Sequence, residues 1–193
     1  MTLLPTAEAI VQSARAIFED EGAHGVSMRR VASAVGITPM AIYRHFPNRE
    51  ALLHRIADQG FQELADHWKP GRTRQTPERR ILALLDHYLD YALRHPRIFD
   101  YVFSELRPGA RRFPEDFRSA QSPTADLLVQ ACRDGMAQGQ FKRDDVLEAM
   151  LSLWAHAHGL ICLHRGGRFS LSAKDFRALY RRSLRRLLDG MRI

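Results

Sequence analysis

The chain has 193 residues, 45% hydrophobic and 26% charged, which suits one large or two small soluble domains. No apolar run reaches the roughly 18 residues needed to span a bilayer, MTLLPTAEAIVQSARAIF lacks the basic stretch and cleavage site of a signal peptide, and Cys132 and Cys162 are too few for a disulfide framework or a zinc site. The net charge of +7 is uneven: residues 26–55 hold +4, from Arg29, Arg30, Arg44, Arg49 and Arg55 against Glu50, residues 172–193 hold +5, and residues 56–171 are nearly balanced. A basic head suits a polyanion, because neutralising phosphates releases condensed counterions. The basic tail reads more simply as the solvated side of an amphipathic helix than as a second phosphate contact. Both cysteines are expected to be buried and reduced, in a cytoplasmic protein.

The first predicted helix runs from about Thr6, its cap, to Glu21, with Ala9, Ile10, Ala14, Ile17 and Phe18 inside. Its acidic end, Glu19-Asp20-Glu21, opposes the helix dipole, and nothing in the sequence accounts for it. Next comes VSMRRVASAVGITPMAIYRHFPNREALL, residues 26–53. Ser27 caps a short helix whose inner face is Val31, Ala32 and Val35, and Gly36 ends it in the left-handed backbone region. Thr38-Pro39 restarts the chain, and Ile42 and Phe46, four apart, give a second helix of about two turns its buried stripe. Two such helices joined by a glycine turn make a helix-turn-helix, whose second helix enters the DNA major groove. Thr38, Met40, Tyr43, Arg44 and His45 remain for the groove. Ser27, Arg29, Asn48 and Arg49 are placed for phosphates, with Asn48 capping the helix that follows.

This string resembles the N-terminal DNA-binding domain of the TetR family of bacterial transcriptional repressors. The family pattern T/S-x-x-x-I/V-A-x-x-A/V-G-V/I-S/T-x-x-x-L/I-Y-x-H/Y-F-x-x-K/R-x-x-L is matched by Ser27, Val31-Ala32, Val35-Gly36-Ile37-Thr38, Ile42-Tyr43, His45-Phe46, Arg49 and Leu52-Leu53. The likeness extends back to about Thr6. Arg49 stands where lysine is commoner, which keeps the charge but changes its hydrogen-bond geometry, and Met40 stands where glycine is frequent.

The helix capped by Asn48 carries Leu52, Leu53, Ile56, Phe61, Leu64 and Trp68 and is predicted to end near Lys69-Pro70-Gly71, before a loop. Thr76-Pro77-Glu78 opens a helix with Ile81, Leu84, Leu85, Tyr88, Leu89 and Ala92 inside. After His95-Pro96 comes a short aromatic helix with Ile98, Phe99, Tyr101, Val102 and Phe103, and then RPGARRFPEDF reads as irregular. Three more helices are predicted: from Ser122-Pro123 to Gly139, from Asp144 to Gly166, and from Ser172 to Asp189. With no strand signal or repeat, the fold class is all-α with about nine helices. A three-helix DNA-binding domain spans residues 1–55, and a helical ligand-binding and dimerisation domain spans residues 56–193.

HPRIFDYVF at 95–103 with Trp154, His158 and Gly159 also resembles a TetR C-terminal subtype named for its W…HG motif. That resemblance implies a homodimer formed by the last two long helices and a cavity for a small-molecule effector. Leu151, Ala155, Gly159, Leu184 and Leu188 are small or apolar enough for close helix approach. Tyr88, Tyr91, Phe99, Phe103, Phe117, Leu128, Trp154 and His158 are candidate cavity walls, suited to a mainly apolar ligand, although aromatics of this kind equally fill an ordinary core. The histidines lack metal-ligand spacing, and no H-E-x-x-H, G-x-S-x-G or phosphate loop occurs, so no metal, cofactor or enzyme activity is expected. The expected function is a repressor released from a palindromic double-stranded DNA operator by its ligand, without contact with a membrane. The alternatives are a ligand-independent regulator or activator with the same head, and a helical small-molecule-binding protein with a vestigial head.

Overall fold

Side-chain caps set most of the helix starts. Ser27 accepts from the Arg30 amide at 3.2 Å, Thr38 from Ala41 at 3.2 Å, Asn48 from Ala51 at 2.8 Å, and Thr76 from Arg79 at 3.3 Å. Ser122 accepts from Ala125 at 3.4 Å and Ser172 from Asp175 at 3.1 Å. Asp145, not the expected Asp144, caps the long helix after it, accepting from Leu147 at 2.8 Å and Glu148 at 3.1 Å.

The computed structural model describes residues 6–67, 75–106, 109–119 and 122–193, without the side chains of Thr6 and His67. The expected Thr6 cap and the helix end at Trp68 and Lys69-Pro70-Gly71 therefore lie outside the described residues. The helices are α1 Thr6–Glu21, α2 Met28–Val35, α3 Pro39–Ile42, α4 Arg49–His67, α5 Pro77–Arg94, α6 Pro96–Phe103, α7 Glu115–Arg118, α8 Pro123–Ala137, α9 Val146–Arg165 and α10 Ala173–Met191, with a 3-10 turn at Ala23–Gly25. The described residues thus hold ten α-helices rather than about nine. The addition, α7, is one turn inside the stretch expected to be irregular, held by the buried Phe117 and begun by Glu115 and Asp116.

The chain forms two compact units: Met1–Glu63 with Arg94–Ala110, and Leu64–Leu93 with Arg111–Ile193. In the first, Ile10, Val11, Ala14 and Phe18 of α1, Val31 and Ala32 of α2, Ile42 of α3, and Leu52 and Ile56 of α4 are buried. Phe18 meets Tyr101 of α6 edge-on at 5.3 Å. The acidic end of α1, unexplained by sequence, is surrounded by cations. Glu19 accepts from Arg15 at 3.0 Å and lies 3.0 Å from His95 Nδ1, and its carbonyl accepts from Arg97 at 2.5 Å. Glu21 takes both arms of Arg30, which holds its carboxyl below the usual carboxylate range. These cations offset the unfavourable dipole.

In the second unit, α10 buries Phe176, Tyr180, Leu184 and Leu188, and the Tyr180 hydroxyl donates to the Leu85 carbonyl at 2.8 Å. Arginines flank this stripe: Arg177 pairs with Asp90, Arg181 with Asp86 at 2.9 Å and Arg192 with Glu78 at 2.6 Å. Part of the basic tail is therefore a seam along α5, while Arg182, Arg185 and Arg186 lie exposed. Leu184 and Leu188, expected at a dimer interface, are each 0% exposed within their own chain. The correction follows from helical period, because α10 carries two adjacent apolar stripes and the 176/180/184/188 stripe is the one turned inward.

Helix α9 sends Ala149, Met150, Leu153, Ala157 and Ile161 into the core, yet Leu151, Ala155, Gly159 and the 48%-exposed Leu163 lie outside that stripe. With both faces apolar, an 18-residue window of this helix has a mean hydropathy of 1.4, long and apolar enough to cross a membrane by composition, and 28% of it is buried. The expectation that no run reaches spanning length is corrected accordingly. Cys162, expected to be buried, is exposed on this helix, whereas Cys132 is buried and its thiol is pushed up to about 12 by desolvation.

Candidate nucleic-acid interface

The turn between α2 and α3 is closed by backbone bonds. Gly36 adopts φ 75° and ψ 30°, and the Ile37 amide reaches back to the Ala32 carbonyl at 3.0 Å, as helix ends with a left-handed residue do. Helix α3 is shorter than the expected two turns. Beyond Ile42 the bonds tighten to i→i−3, with Arg44 N to Ala41 O at 3.2 Å and His45 N to Ile42 O at 3.0 Å. The chain still follows a helical path to Phe46, so Ile42 and Phe46 anchor it from below, at 0% exposed and half-buried respectively.

Opposite that anchor, Thr38, Met40, Tyr43, Arg44 and His45 are all exposed, Met40 by 74% and Tyr43 by 50%. Ser27, Arg29 and Asn48 are exposed as well. The oxygens of Ser27, Thr38 and Asn48 serve as caps, but each side chain still carries a donor for a phosphate or base. Arg49 differs. It is half-buried, its Nε donates to the Val26 carbonyl at 2.8 Å, and a terminal nitrogen donates to the Ala23 carbonyl. Its guanidinium therefore ties the start of α4 to the 3-10 turn that leads into α2. Sequence reasoning also missed the partnership of Arg30 with Glu21, which fixes the same junction from its other side and has no periodic signature.

In the second unit, four of the candidate ligand residues come together. Trp154 Nε1 donates to the Tyr88 hydroxyl at 3.1 Å, that hydroxyl lies 2.9 Å from His158 Nδ1, and Phe117 faces Trp154 with ring centres 6.0 Å apart. Cys162 Sγ lies 3.3 Å from His158 Nε2, extending the chain of contacts. Burial raises the Tyr88 phenol well above its ordinary pKa, so it remains a neutral hydroxyl. Tyr91 and Leu128 are buried. Phe99 and Phe103 belong to the first unit, where they pack against each other at 5.1 Å, with Phe61 5.3 Å from Phe103. Among the described residues, no group of three or more His, Cys, Asp or Glu side chains is placed to hold a metal ion.

Two family profiles match the chain. "Bacterial regulatory proteins, tetR family" covers residues 10–56, and "Tetracyclin repressor-like, C-terminal domain" covers residues 81–187. The chain belongs to the TetR family. Its N-terminal profile is that of bacterial regulatory proteins, and the curated relatives it matches are HTH-type transcriptional regulators. The HTH-type transcriptional regulator YobS of Bacillus subtilis (strain 168) is 26% identical over 95 residues, 49% of this chain and 50% of that protein. The chain thus spans about half the length of that relative. A protein of unknown function from Rhodococcus sp. RHA1 has the same fold, with a TM-score of 0.83 at 22% identity, covering 99% of this chain and 97% of that one. RolR, solved in complex with resorcinol, aligns with a TM-score of 0.65 at 18% identity over 96% of this chain and 87% of its own.

Proposed function

We propose that this TetR-family regulator is a cytoplasmic bacterial repressor. As a homodimer it holds a two-fold symmetric operator and releases it when a small, mainly apolar ligand binds. The observation that carries the DNA half is the capped turn from Ser27 to Phe46, which buries Ile42 and turns Met40, Tyr43, Arg44 and His45 outward in a segment of net positive charge. Two such heads in a two-fold dimer call for half-sites ~34–36 Å apart or a multiple of that. Selection from random duplexes at moderate salt, followed by sequencing, is expected to enrich a symmetric site bound with a steep salt dependence. Tyr43→Ala is expected to weaken binding to that site by roughly tenfold, the scale of one lost base contact, with the thermal melt unchanged. Full operator affinity in Tyr43→Ala would remove α3 from the groove.

Ser27, Arg29 and Asn48 are assigned to phosphates, with Thr38 and His45 beside Tyr43 and Arg44 at the groove. The reading gives Arg49 the task of positioning the head. The partner face is proposed to be the outer side of α9, through Leu151, Ala155 and Gly159, because an apolar face outside the core stripe is what a second copy covers.

The ligand half rests on Tyr88, Trp154, His158 and Phe117, an aromatic group with three polar tips. A phenolic compound of the kind seen with RolR suits such a group, by hydrogen bonding to Tyr88 or His158 and stacking on Trp154. Since Trp68 and Trp154 are the two tryptophans, Trp68→Phe leaves Trp154 as the sole indole reporter. A screen of small aromatic compounds is expected to find one that quenches or shifts this emission and releases the operator at the same concentration. A ligand can shift the equilibrium only by its differential affinity for the two states, so quenching without release would leave the compound a passenger.

A further inference from the structure

We propose that Met40 reads a thymine in each operator half-site through the thymine methyl group, an inference that rests on the DNA-binding reading above. Met40 is 74% exposed on α3, between Pro39, which has no backbone N–H, and Ala41, with Ile42 buried on the reverse side. An exposed methionine alone is ordinary on a protein surface. Its place on this turn gives it meaning. Tyr43, Arg44 and His45, further along the same exposed side, all carry donors suited to polar base edges or phosphates. Met40 carries none, and its thioether is only a weak acceptor. In the major groove the four base pairs differ in donors, acceptors and one apolar feature, the C5-methyl of thymine. A side chain that offers only polarizable, flexible apolar surface therefore has one feature there to recognise. This makes Met40 a specificity-determining residue with a stated base. It also gives the departure from the frequent family glycine a consequence, since a residue without a side chain has no reach to that methyl.

The test uses the full-length chain and the operator obtained by selection. Each thymine is replaced in turn by deoxyuridine, which removes the methyl and leaves every donor and acceptor in place. One position per half-site is expected at which this replacement weakens binding roughly fourfold, the worth of one buried methyl. Met40→Ala, at an exposed site and with an unchanged circular dichroism spectrum, is expected to bind the unmodified operator more weakly and to be indifferent to deoxyuridine at that same position. Undiminished affinity at every deoxyuridine position overturns the proposal, as does an unchanged deoxyuridine penalty in Met40→Ala. A chain that enriches no operator and binds DNA without salt dependence overturns the DNA-binding reading itself, and that result is distinct from an operator bound without methyl sensitivity.

Discussion

Leu184→Ala is expected to lower folding stability by about 2–5 kcal/mol, the cost of emptying a fully packed leucine site, and to lower the melting temperature on the order of 5–15 °C. Leu184 is 0% exposed within a single chain, on the stripe that also buries Phe176, Tyr180 and Leu188. Tyr180 pins that stripe to α5 through the Leu85 carbonyl, so α10 has little freedom to close over the lost volume. A leucine at a dimer seam behaves differently. Its loss weakens association, and the melting point then depends on protein concentration because folding and assembly are linked by mass action. Ala155→Glu provides the contrast. Position 155 is exposed on α9, and glutamate is a good helix former, so the chain is expected to keep its helical signal. If α9 forms the proposed two-fold interface, the new charge faces its own copy and is expected to yield monomers in sedimentation and to abolish tight operator binding. Sedimentation and melts at several protein concentrations separate the two outcomes. If Leu184→Ala dissociates the protein without lowering the melt of the monomer, Leu184 belongs to the interface after all.

The two variants also show what could be read from the chain and what could not. The head was legible because its signals are local. Ser27, Thr38 and Asn48 each accept from an amide three residues ahead, and Gly36 needs only its own positive φ. A cap or a turn is encoded within one helical turn, and sequence spacing carries that information. Leu184 and Leu188 of α10 were legible as apolar but were read as a partner face, since apolarity does not say which protein surface will cover it. On α9 the ambiguity is doubled by apolar residues on both sides. The proposed ligand group was legible only as a set of scattered aromatics. Tyr88, Trp154 and His158 meet across 66 and 70 residues, but Phe99 and Phe103, equally aromatic, fall in the other compact unit. No periodicity predicts contacts at that separation. The acidic end of α1 shows the same limit, since its partners Arg30, His95 and Arg97 are recruited by tertiary structure.

Arg49→Lys is expected to destabilise the head despite keeping the charge, and this result separates two roles for the residue. The sequence reading places Arg49 at a phosphate beside the helix start capped by Asn48, at a position where the family commonly has lysine. A lysine there would then sustain operator affinity, and removing the charge altogether would lower the salt slope by about one. The structure gives the guanidinium a different engagement: Nε to Val26 O at 2.8 Å and a terminal nitrogen to Ala23 O, across 23 and 26 residues of chain. A planar fork reaches two carbonyls at once, whereas an ammonium is a single point with rotating donors. Hydrogen bonds to a charged donor contribute about 1.5–3 kcal/mol each when buried. At 35% side-chain exposure the pair is screened, so a loss of roughly 1–2 kcal/mol is the reasonable scale for Arg49→Lys. The lost bonds would free the 3-10 turn at Ala23–Gly25, which precedes the Ser27 cap of α2, so amide exchange across residues 23–27 should quicken. Operator affinity should fall with it, because a groove-reading turn binds at full strength only when held in place beforehand. The decisive readout is the salt dependence. A clamp leaves the slope of log K against log salt unchanged in Arg49→Ala while affinity drops, because no phosphate contact has been lost. A slope reduced by about one, with native exchange across residues 23–27, would return Arg49 to the phosphate.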